Sequence, residues 1–239
     1  MNEILRTEQV TRSFPVAGGD FLALKGISVV VPEDTLTILK GRSGSGKTTL
    51  LNIIGALDAP TSGSVVFDGV EISGASDKER ELLRRHKIGY IFQSVALIPV
   101  MNAYENVEYA LRLADYKGDY RERVMECLKL VGLSKRATHM PQELSGGEQQ
   151  RVAIARAIAH KPKIIFADEP TGELDSATSL QVIAIFKELI EKEGITFVMT
   201  THDTKLMGYG DVVYEIQDGE IINTEYHGKG EAFHEQLKR

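Results

Sequence analysis

The chain has 239 residues, of which 42% are hydrophobic and 26% are charged, and its formal net charge is −6. This composition excludes a disordered chain and is typical of a soluble globular protein with a sizeable core. The acidic balance argues against a broad nucleic-acid-binding surface, and we therefore predict no nucleic acid among its partners.

The predicted elements alternate along most of the chain. Residues 4–40 have the pattern of strands, residues 48–57 that of a helix, and a strand, a charged helix and a buried strand ending at Gln93 follow. About residues 94–160 form a predicted helical insertion. Strand, helix and strand then alternate over residues 163–201, which implies parallel pairing in an α/β core. A hairpin turns at Asp218-Gly219, and about residues 224–239 are a polar tail of one domain, 1–239.

Two features bear on the compartment. The N-terminal residues lack the basic and apolar regions of a secretory signal, and no run approaches the ~18 apolar residues of a membrane span. The single cysteine, Cys127, excludes an internal disulfide and fits a reducing compartment. Its setting, RVMECLKLVGL, favours a packed thiol over a reactive one. The sequence predicts a cytoplasmic protein that reaches a membrane only through a partner.

The sequence GRSGSGKT lies between a predicted strand and a predicted helix, in the context of a phosphate-binding loop. Its glycines let backbone amides close around phosphates, and the helix N-terminus adds partial positive charge. Lys47 can reach the β and γ oxygens, and the Thr48 hydroxyl can ligate magnesium. The alternative is an idle glycine-rich turn. The predicted nucleotide-binding residues here are Gly41, Arg42, Ser43, Gly44, Ser45, Gly46, Lys47, Thr48 and Thr49.

The sequence IIFADE supplies a second part of a phosphate site. Its apolar strand ends at Asp168, which puts a carboxylate at the edge of the sheet where α/β proteins bind ligands. Asp168 can hold magnesium through water, and Glu169 is a candidate base for an attacking water. Paired acids after a strand are common, so this interpretation depends on the phosphate-binding loop.

A second glycine-rich helix start occurs at LSGGEQQR, residues 144–151. Ser145 and Glu148 have the spacing of a capping box. Two glycines and a hydroxyl at a helix start also suit an anion, because the first amides of a helix have no partner within it. The pattern is compatible with both roles.

In this order, the phosphate loop, Gln93, LSGGEQQR, IIFADE, Leu174-Asp175 and His202 resemble the motifs of ATP-binding cassette (ABC) ATPases over about residues 4–223. The segments LLNIIGALDAPTSG and FADEPTGELD resemble the group that serves lipoprotein release, macrolide-type export, antimicrobial-peptide resistance and cell division. The resemblance implies a P-loop NTPase fold, α/β, with a mainly parallel core sheet, an N-terminal antiparallel β subdomain and a helical insertion subdomain. It implies ATP and Mg²⁺ as cofactors.

The resemblance also implies catalytic roles. Glu169 matches the general base, His202 the residue that contacts the γ-phosphate, and Gln93 the residue that touches magnesium and water and senses the partner. The implied magnesium positions are Thr48, Gln93 and Asp168. Without the resemblance, His202 could equally be an edge histidine with no task, and Gln93 would be only a polar residue at a strand end.

In ABC ATPases the LSGG signature acts on the ATP bound by a second copy of the cassette. The resemblance therefore implies an ATP-dependent homodimer, with Asp175 at its seam. The signature residues implied to act on the partner's ATP are Ser145, Gly146, Gly147 and Gln149.

Four residues depart from the family pattern or need comment. Phe14 matches the aromatic that stacks on adenine, where the usual residue is Tyr, and either ring can stack. Glu173 puts an acid where the subgroup often has a neutral residue near the dimer seam. Lys40 and Arg42 make the phosphate loop more basic than it needs to be, and solvated surface charge is the simpler interpretation.

The function implied is an ATP-binding and ATP-hydrolysing subunit that drives a separate integral membrane permease and lies peripherally on the inner face of the cell membrane. Residues 94–101, SVALIPVM, fit either core packing or a docking groove for that permease. A regulatory cassette that signals through a membrane partner without transport is the main alternative. A DNA-repair ATPase is disfavoured because only 96 residues separate Lys47 from Leu144, with no sustained heptads.

Overall fold

A computed structural model describes residues 2–238; Met1 and Arg239, the ends of the predicted 1–239 unit, lie outside the described residues. The first of its two sheets is antiparallel, with strand order β2-β1-β5-β6 and β3 paired to β1. It consists of β1 (Glu3–Val16), β2 (Gly19–Ile27), β3 (Val30–Pro32), β5 (Ser62–Phe67) and β6 (Val70–Glu71). The predicted N-terminal antiparallel sheet is confirmed.

The second sheet is the core, with strand order β11-β10-β4-β9-β8-β7, parallel except where β11 pairs with β10. Both faces of this sheet are buried. On β4, for example, Ile38 packs in one buried cluster and Leu39 in the other. The strands of this sheet therefore have apolar residues at successive positions. Its strands are β4 (Leu36–Lys40), β7 (Ile88–Ile91), β8 (Ile164–Ala167), β9 (Thr196–Thr201), β10 (Val212–Gln217) and β11 (Glu220–Tyr226).

Seven α-helices surround these sheets in the described part of the chain: α1 (Lys47–Ile54), α2 (Asp77–His86), α3 (Ala103–Leu113), α4 (Tyr120–Leu130), α5 (Gly146–Ile158), α6 (Ser176–Glu193) and α7 (Lys229–Leu237). We call α3, α4 and α5 the helical group, because they pack against one another in one buried cluster. No helix among residues 2–238 combines the length and apolarity that a membrane crossing requires.

Cys127 lies inside the helical group and is fully buried. Burial raises the pKa of its thiol to about 12, because a thiolate is poorly solvated in apolar surroundings. The structure thus shows the packed thiol that the sequence favours.

Two boundaries and one helix differ from the sequence prediction. Strand β7 ends at Ile91 instead of Gln93, because the chain enters a turn at Gln93-Ser94. Helix α1 ends at Ile54, where Gly55 is the C-cap and lies against the Tyr90 hydroxyl, leaving no room for a side chain. The polar tail also contains an ordered helix, α7, with Phe233 buried. A single aromatic anchor leaves little periodic signal in a sequence.

Candidate active site

The loop 41–48 joins β4 to α1, as predicted, and its conformation depends on glycine. Gly44 and Gly46 have φ values of 80° and 106°, which other residues rarely adopt. A Cβ on Gly46 would lie 2.9 Å from Leu24 Cδ2 and 3.0 Å from Ala23 O. The glycines therefore let the loop turn tightly against the antiparallel sheet.

Lys47 lies at the centre of this loop. It is 5% exposed, and its Nζ donates to Gly41 O at 2.9 Å and to Arg42 O at 3.0 Å. The Ser45 hydroxyl is buried and has no hydrogen-bond partner among the described residues. A buried lysine and an unpaired hydroxyl in a glycine-rich loop that precedes a helix fit a phosphate group.

The paired acids follow β8, and the phosphate loop reaches them. Thr48 Oγ1 donates to Asp168 Oδ1 at 3.1 Å, and Lys47 Nζ lies 4.0 Å from Glu169 Oε1. Thr200, at the end of β9, also donates to Asp168 Oδ1, at 2.6 Å, and accepts from the Glu169 backbone N–H at 2.9 Å. Thr200 is not predicted from the sequence, where its only signal is a polar pair, Thr200-Thr201, that ends an apolar strand.

His202 joins the same cluster. Its Nδ1 lies 3.4 Å from Glu169 Oε2, and both residues line a cavity of about 330 Å³. Glu169 itself has a φ of 44°, an uncommon value for a residue with a side chain. Such conformations concentrate at functional sites, where surrounding contacts hold them. The structure thus brings Lys47, Asp168 and His202 together around Glu169.

Two other predicted residues lie apart from this cluster in the described contacts. Gln93 is exposed in the turn after β7, with no described contact to either acid. Phe14 lies on β1, opposite Phe21 of β2, and the Arg12 guanidinium sits 4.7 Å from the centre of its ring. Arg12 is held in turn by Asp58, 2.8 Å away.

The two cations beside the phosphate loop, Lys40 and Arg42, differ in their contacts. Lys40 pairs with Glu215 of β10 at 3.1 Å, whereas Arg42 is exposed and has no ion-pair partner within residues 2–238. Neither side chain has a described contact with Asp168 or Glu169. Solvated or paired surface charge accounts for both.

The signature forms the predicted capping box at the start of α5. Ser145 Oγ accepts from Glu148 N at 3.2 Å, and Glu148 Oε2 accepts from Ser145 N at 2.9 Å. The Ser145 backbone N–H, as the largest influence, holds the pKa of Glu148 below its ordinary value. Arg136 adds an ion pair to the same carboxylate at 3.0 Å.

The signature lines a cavity of about 430 Å³ together with Glu173 and Asp175. This cavity adjoins the one that contains Glu169 and His202, since Leu174 lines both, but none of the signature residues lines the latter. A Cβ on Gly147 would lie 2.6 Å from Thr178 Cγ2. Asp175 caps α6, because its Oδ1 accepts from Ala177 N at 2.9 Å and Thr178 N at 3.0 Å. This capping role of Asp175 is not predicted from the sequence.

A phosphate-binding loop between strand and helix, with paired acids at the end of a neighbouring parallel strand, defines the class of P-loop nucleoside triphosphatases. The sequence profile of ABC transporters matches residues 24–172. The chain is 42% identical over 228 residues to an uncharacterized ABC transporter ATP-binding protein, MJ0796, of Methanocaldococcus jannaschii, covering 93% of this chain and 97% of that protein. The chain belongs to the ABC transporter family, in its ATP-binding cassette class of ATPases.

Two further similarities refine this result. The chain is 42% identical to the macrolide export ATP-binding/permease protein MacB of Syntrophobacter fumaroxidans, over 92% of this chain and 31% of that longer protein. It superposes with a TM-score of 0.86, at 41% identity, on a dimeric post-hydrolysis structure of MJ0796 bound to ADP and Pi, covering 94% and 99% of the two chains. The resemblance and the fold class predicted from the sequence are confirmed.

Proposed function

We propose that two copies of this chain close around two ATP molecules and that their hydrolysis drives a separate membrane permease. The observation that carries the proposal is the convergence of the phosphate-loop lysine, the paired acids and a histidine in one chain, with the signature lining an adjoining cavity that contains none of these groups. A complete hydrolytic half-site and a spare anion-binding helix start in the same molecule call for a second copy.

Within one copy, the loop amides and Lys47 bind the β- and γ-phosphates. Glu169 accepts a proton from the attacking water, in line with its position between a cation and an imidazole. Because Nδ1 of His202 faces Glu169, its Nε2 is the ring nitrogen left to contact the γ-phosphate. Adenine stacks on Phe14, on the ring face away from Arg12.

The oxygen donors of this site fit a magnesium ion, which prefers hydroxyl and carboxylate ligands. Thr48 and Asp168 already share a hydrogen bond, and Thr200 donates to the same carboxylate oxygen, Oδ1. Gln93, exposed beyond β7, is the third proposed ligand. Magnesium, when bound, neutralises phosphate charge as it develops.

The signature acts on the partner's ATP. Ser145, Gly146 and Gly147 line a cavity that is open beside Asp175, as expected of a surface that meets another copy. The similar MJ0796 cassette is described as dimeric. Gln149 is proposed to stiffen the signature, because its amide donates to Pro141 O at 3.0 Å and Leu144 O at 3.1 Å. Glu173 adds a negative charge to the same surface.

The permease binds a groove of about 670 Å³ between the core sheet and the helical group. Apolar side chains with substantial exposure line it, including Phe92, Tyr109 and Leu113, which are 40%, 38% and 53% exposed. In residues 94–101 the two alternatives divide by side chain, since Leu97 packs on the core whereas Ile98 lines the groove. Binding there puts the chain on the inner face of the cell membrane, and MacB, which joins ATP-binding and permease parts by name, supports this pairing.

The test is Glu169→Gln. We expect turnover to fall by about 10² or more, as for loss of a general base, and ATP to trap a dimer that is detected by light scattering. Glu191→Gln, an exposed carboxylate of α6, is the matched control and should keep wild-type turnover. Unchanged turnover in Glu169→Gln would remove Glu169 as the base.

The trapped dimer also tests the signature. Adding Ser145→Arg to Glu169→Gln should abolish the trapped dimer, because the arginine blocks the anion-binding helix start. Ser76→Arg is the matched control, since Ser76 forms the same capping box, with Glu79, at the start of α2. If both arginine variants trap dimers equally well, the signature does not act across the pair.

A further inference from the structure

The segment between β7 and α3 contains two residues in an uncommon backbone conformation. Val95 and Ala96 have φ values of 51° and 49°, in the left-handed region. A β-branched residue is rare there, and such conformations persist only where neighbouring groups hold them. The first of these residues lies two positions after Gln93, so whatever holds them also restricts Gln93.

Besides a turn hydrogen bond from Val95 N to Phe92 O at 3.2 Å, these two residues are held by Arg156 of α5, in the helical group. Its Nη1 donates to Ala96 O at 2.6 Å and its Nη2 to Val95 O at 3.2 Å. No carboxylate of residues 2–238 lies within ion-pair distance of this guanidinium, which is half-buried. The described hydrogen bonds of the Arg156 side chain all go to carbonyls of the segment that follows Gln93. Since Arg156 also lines the permease groove, this contact lies at the proposed docking surface.

The rest of the segment is held by hydrogen bonds to the side chain of Asn106. Asn106 of α3 is fully buried; its Oδ1 accepts from Ile98 N at 2.8 Å, and its amide donates to Met101 O at 2.8 Å. On the other side of Gln93, Ile91 O accepts from Asp168 N at 2.9 Å, inside the core sheet. Gln93 thus lies two residues after a point fixed to the core sheet and two residues before a point fixed to the helical group.

We propose that Arg156 is the positioning residue that makes Gln93 move with the helical group. This inference rests on the proposed role of Gln93 at the magnesium and the attacking water. The guanidinium transmits the position of α5 to the carbonyls of Val95 and Ala96, and the short chain carries it on to Gln93. Arg156 has no described contact with the phosphate loop, so its effect falls on turnover and leaves ATP binding unchanged.

The test compares Arg156→Gln, Arg156→Lys and Gln93→Ala with the wild-type chain. We expect Arg156→Gln to lower kcat about 10-fold or more, since small displacements of a positioned group cost that much, with KM for ATP unchanged within about twofold. Arg156→Lys, which keeps one donor for a carbonyl, should be intermediate. Hydrogen exchange at the amides of residues 95–101 should accelerate in Arg156→Gln, and that of residues 43–49 should not.

A double variant separates action through Gln93 from a general loss of structure. If Arg156 works through Gln93, then Gln93→Ala with Arg156→Gln has the kcat of Gln93→Ala alone. Arg123→Met is the matched control, because Arg123 is another arginine of the helical group that donates to backbone carbonyls, Ala159 O and Ile158 O, far from Gln93 in sequence. It should lower the midpoint of thermal unfolding and keep kcat.

Each contrary result has a distinct meaning. A normal kcat in Arg156→Gln, with Gln93→Ala impaired, overturns the positioning role and leaves the function of Gln93 standing. A normal kcat in Gln93→Ala overturns both the proposed role of Gln93 and the inference about Arg156. If the fold-losses in kcat of the two single variants multiply in the double variant, Arg156 acts by a route other than Gln93. That result also overturns the inference.

Discussion

At the scale of single residues, the ring of Phe14, proposed to stack on adenine, is positioned by its neighbours. Its ring has the Arg12 guanidinium on one face, at a distance that permits a cation–π interaction, and Asp58 keeps that guanidinium in place by an ion pair. A phenylalanine lacks the hydroxyl with which a tyrosine could fix its ring by a hydrogen bond. Here the neighbouring arginine orients the ring instead.

We expect Phe14→Ala to weaken ATP binding by about 1–3 kcal/mol, the contribution of one base stacked on an aromatic side chain. Phe14→Tyr should bind ATP as the wild type does. The measurement is calorimetric titration of ATP into the Glu169→Gln variant, in which turnover does not deplete the nucleotide. Phe21→Ala, the cross-strand neighbour, is the control. Equal losses in Phe14→Ala and Phe21→Ala would argue against a specific stacking role for Phe14.

At the scale of elements, one carboxylate fastens the antiparallel sheet to the core sheet. Asp68, in the turn between β5 and β6, accepts from Lys87 Nζ at 2.7 Å, just before β7, and from Lys163 Nζ at 2.6 Å, just before β8. The hydrogen bonds from Lys163 and then Lys87 hold the pKa of Asp68 below its ordinary value of 3.8. The native state therefore favours the charged carboxylate.

Asp68→Asn should lower the free energy of unfolding at pH 7 by about 1 kcal/mol, or about 2–4 °C in the unfolding midpoint. Asparagine tolerates the positive φ of this position, 51°, so the change tests charge alone. Because the folded pKa is depressed, the wild-type advantage is full above pH 3.8 and is lost as the pH falls through the lower folded pKa.

Urea unfolding at several pH values measures this advantage. The matched control is Asp115→Asn, whose partner Lys117 is 81% exposed, and an exposed pair of this kind contributes little. A difference between wild type and Asp68→Asn that persists undiminished at pH 2.5 would mean that the carboxylate charge is not its source.

At the scale of the whole molecule, two buried clusters lie on opposite faces of the core sheet, and the groove opens where the core sheet meets the helical group. Gln93 lies at the same junction, between Ile91 of the sheet and the segment held by Arg156. A permease segment seated in the groove would therefore contact the elements that control Gln93. This arrangement gives a physical route from ATP hydrolysis to a membrane partner.

Leu113→Asp tests the groove as the permease-binding surface. The wild-type chain should sediment with membranes from its own cells and not with protein-free liposomes, whereas Leu113→Asp should stay in the supernatant and keep its ATPase activity. Ile222→Asp is the matched control, because Ile222 and Leu113 are both 53% exposed and Ile222 lies on β11. Retention of Leu113→Asp on the membranes would exclude this groove as the main contact.

The features that could be predicted from the sequence by itself depend on residues that are close together in the chain. The capping box joins Ser145 and Glu148, which are three positions apart, and the phosphate loop needs only its own glycines and the helix that follows. Strands β4, β8 and β9 read as apolar runs because both faces of the core sheet are buried. The roles of Gln93 and His202 came from the order of motifs along the chain and remain proposals.

The tertiary structure decided the contacts between residues distant in sequence. Thr200 meets Asp168 because β8 and β9 are parallel with Ala167 paired to Met199, so the next residues of both strands lie side by side. Arg156 reaches Ala96 across 60 residues in the same way, through the packing of α5. Local patterns do not encode strand register or helix docking, because these depend on which buried faces meet, and that is settled only when the whole chain packs.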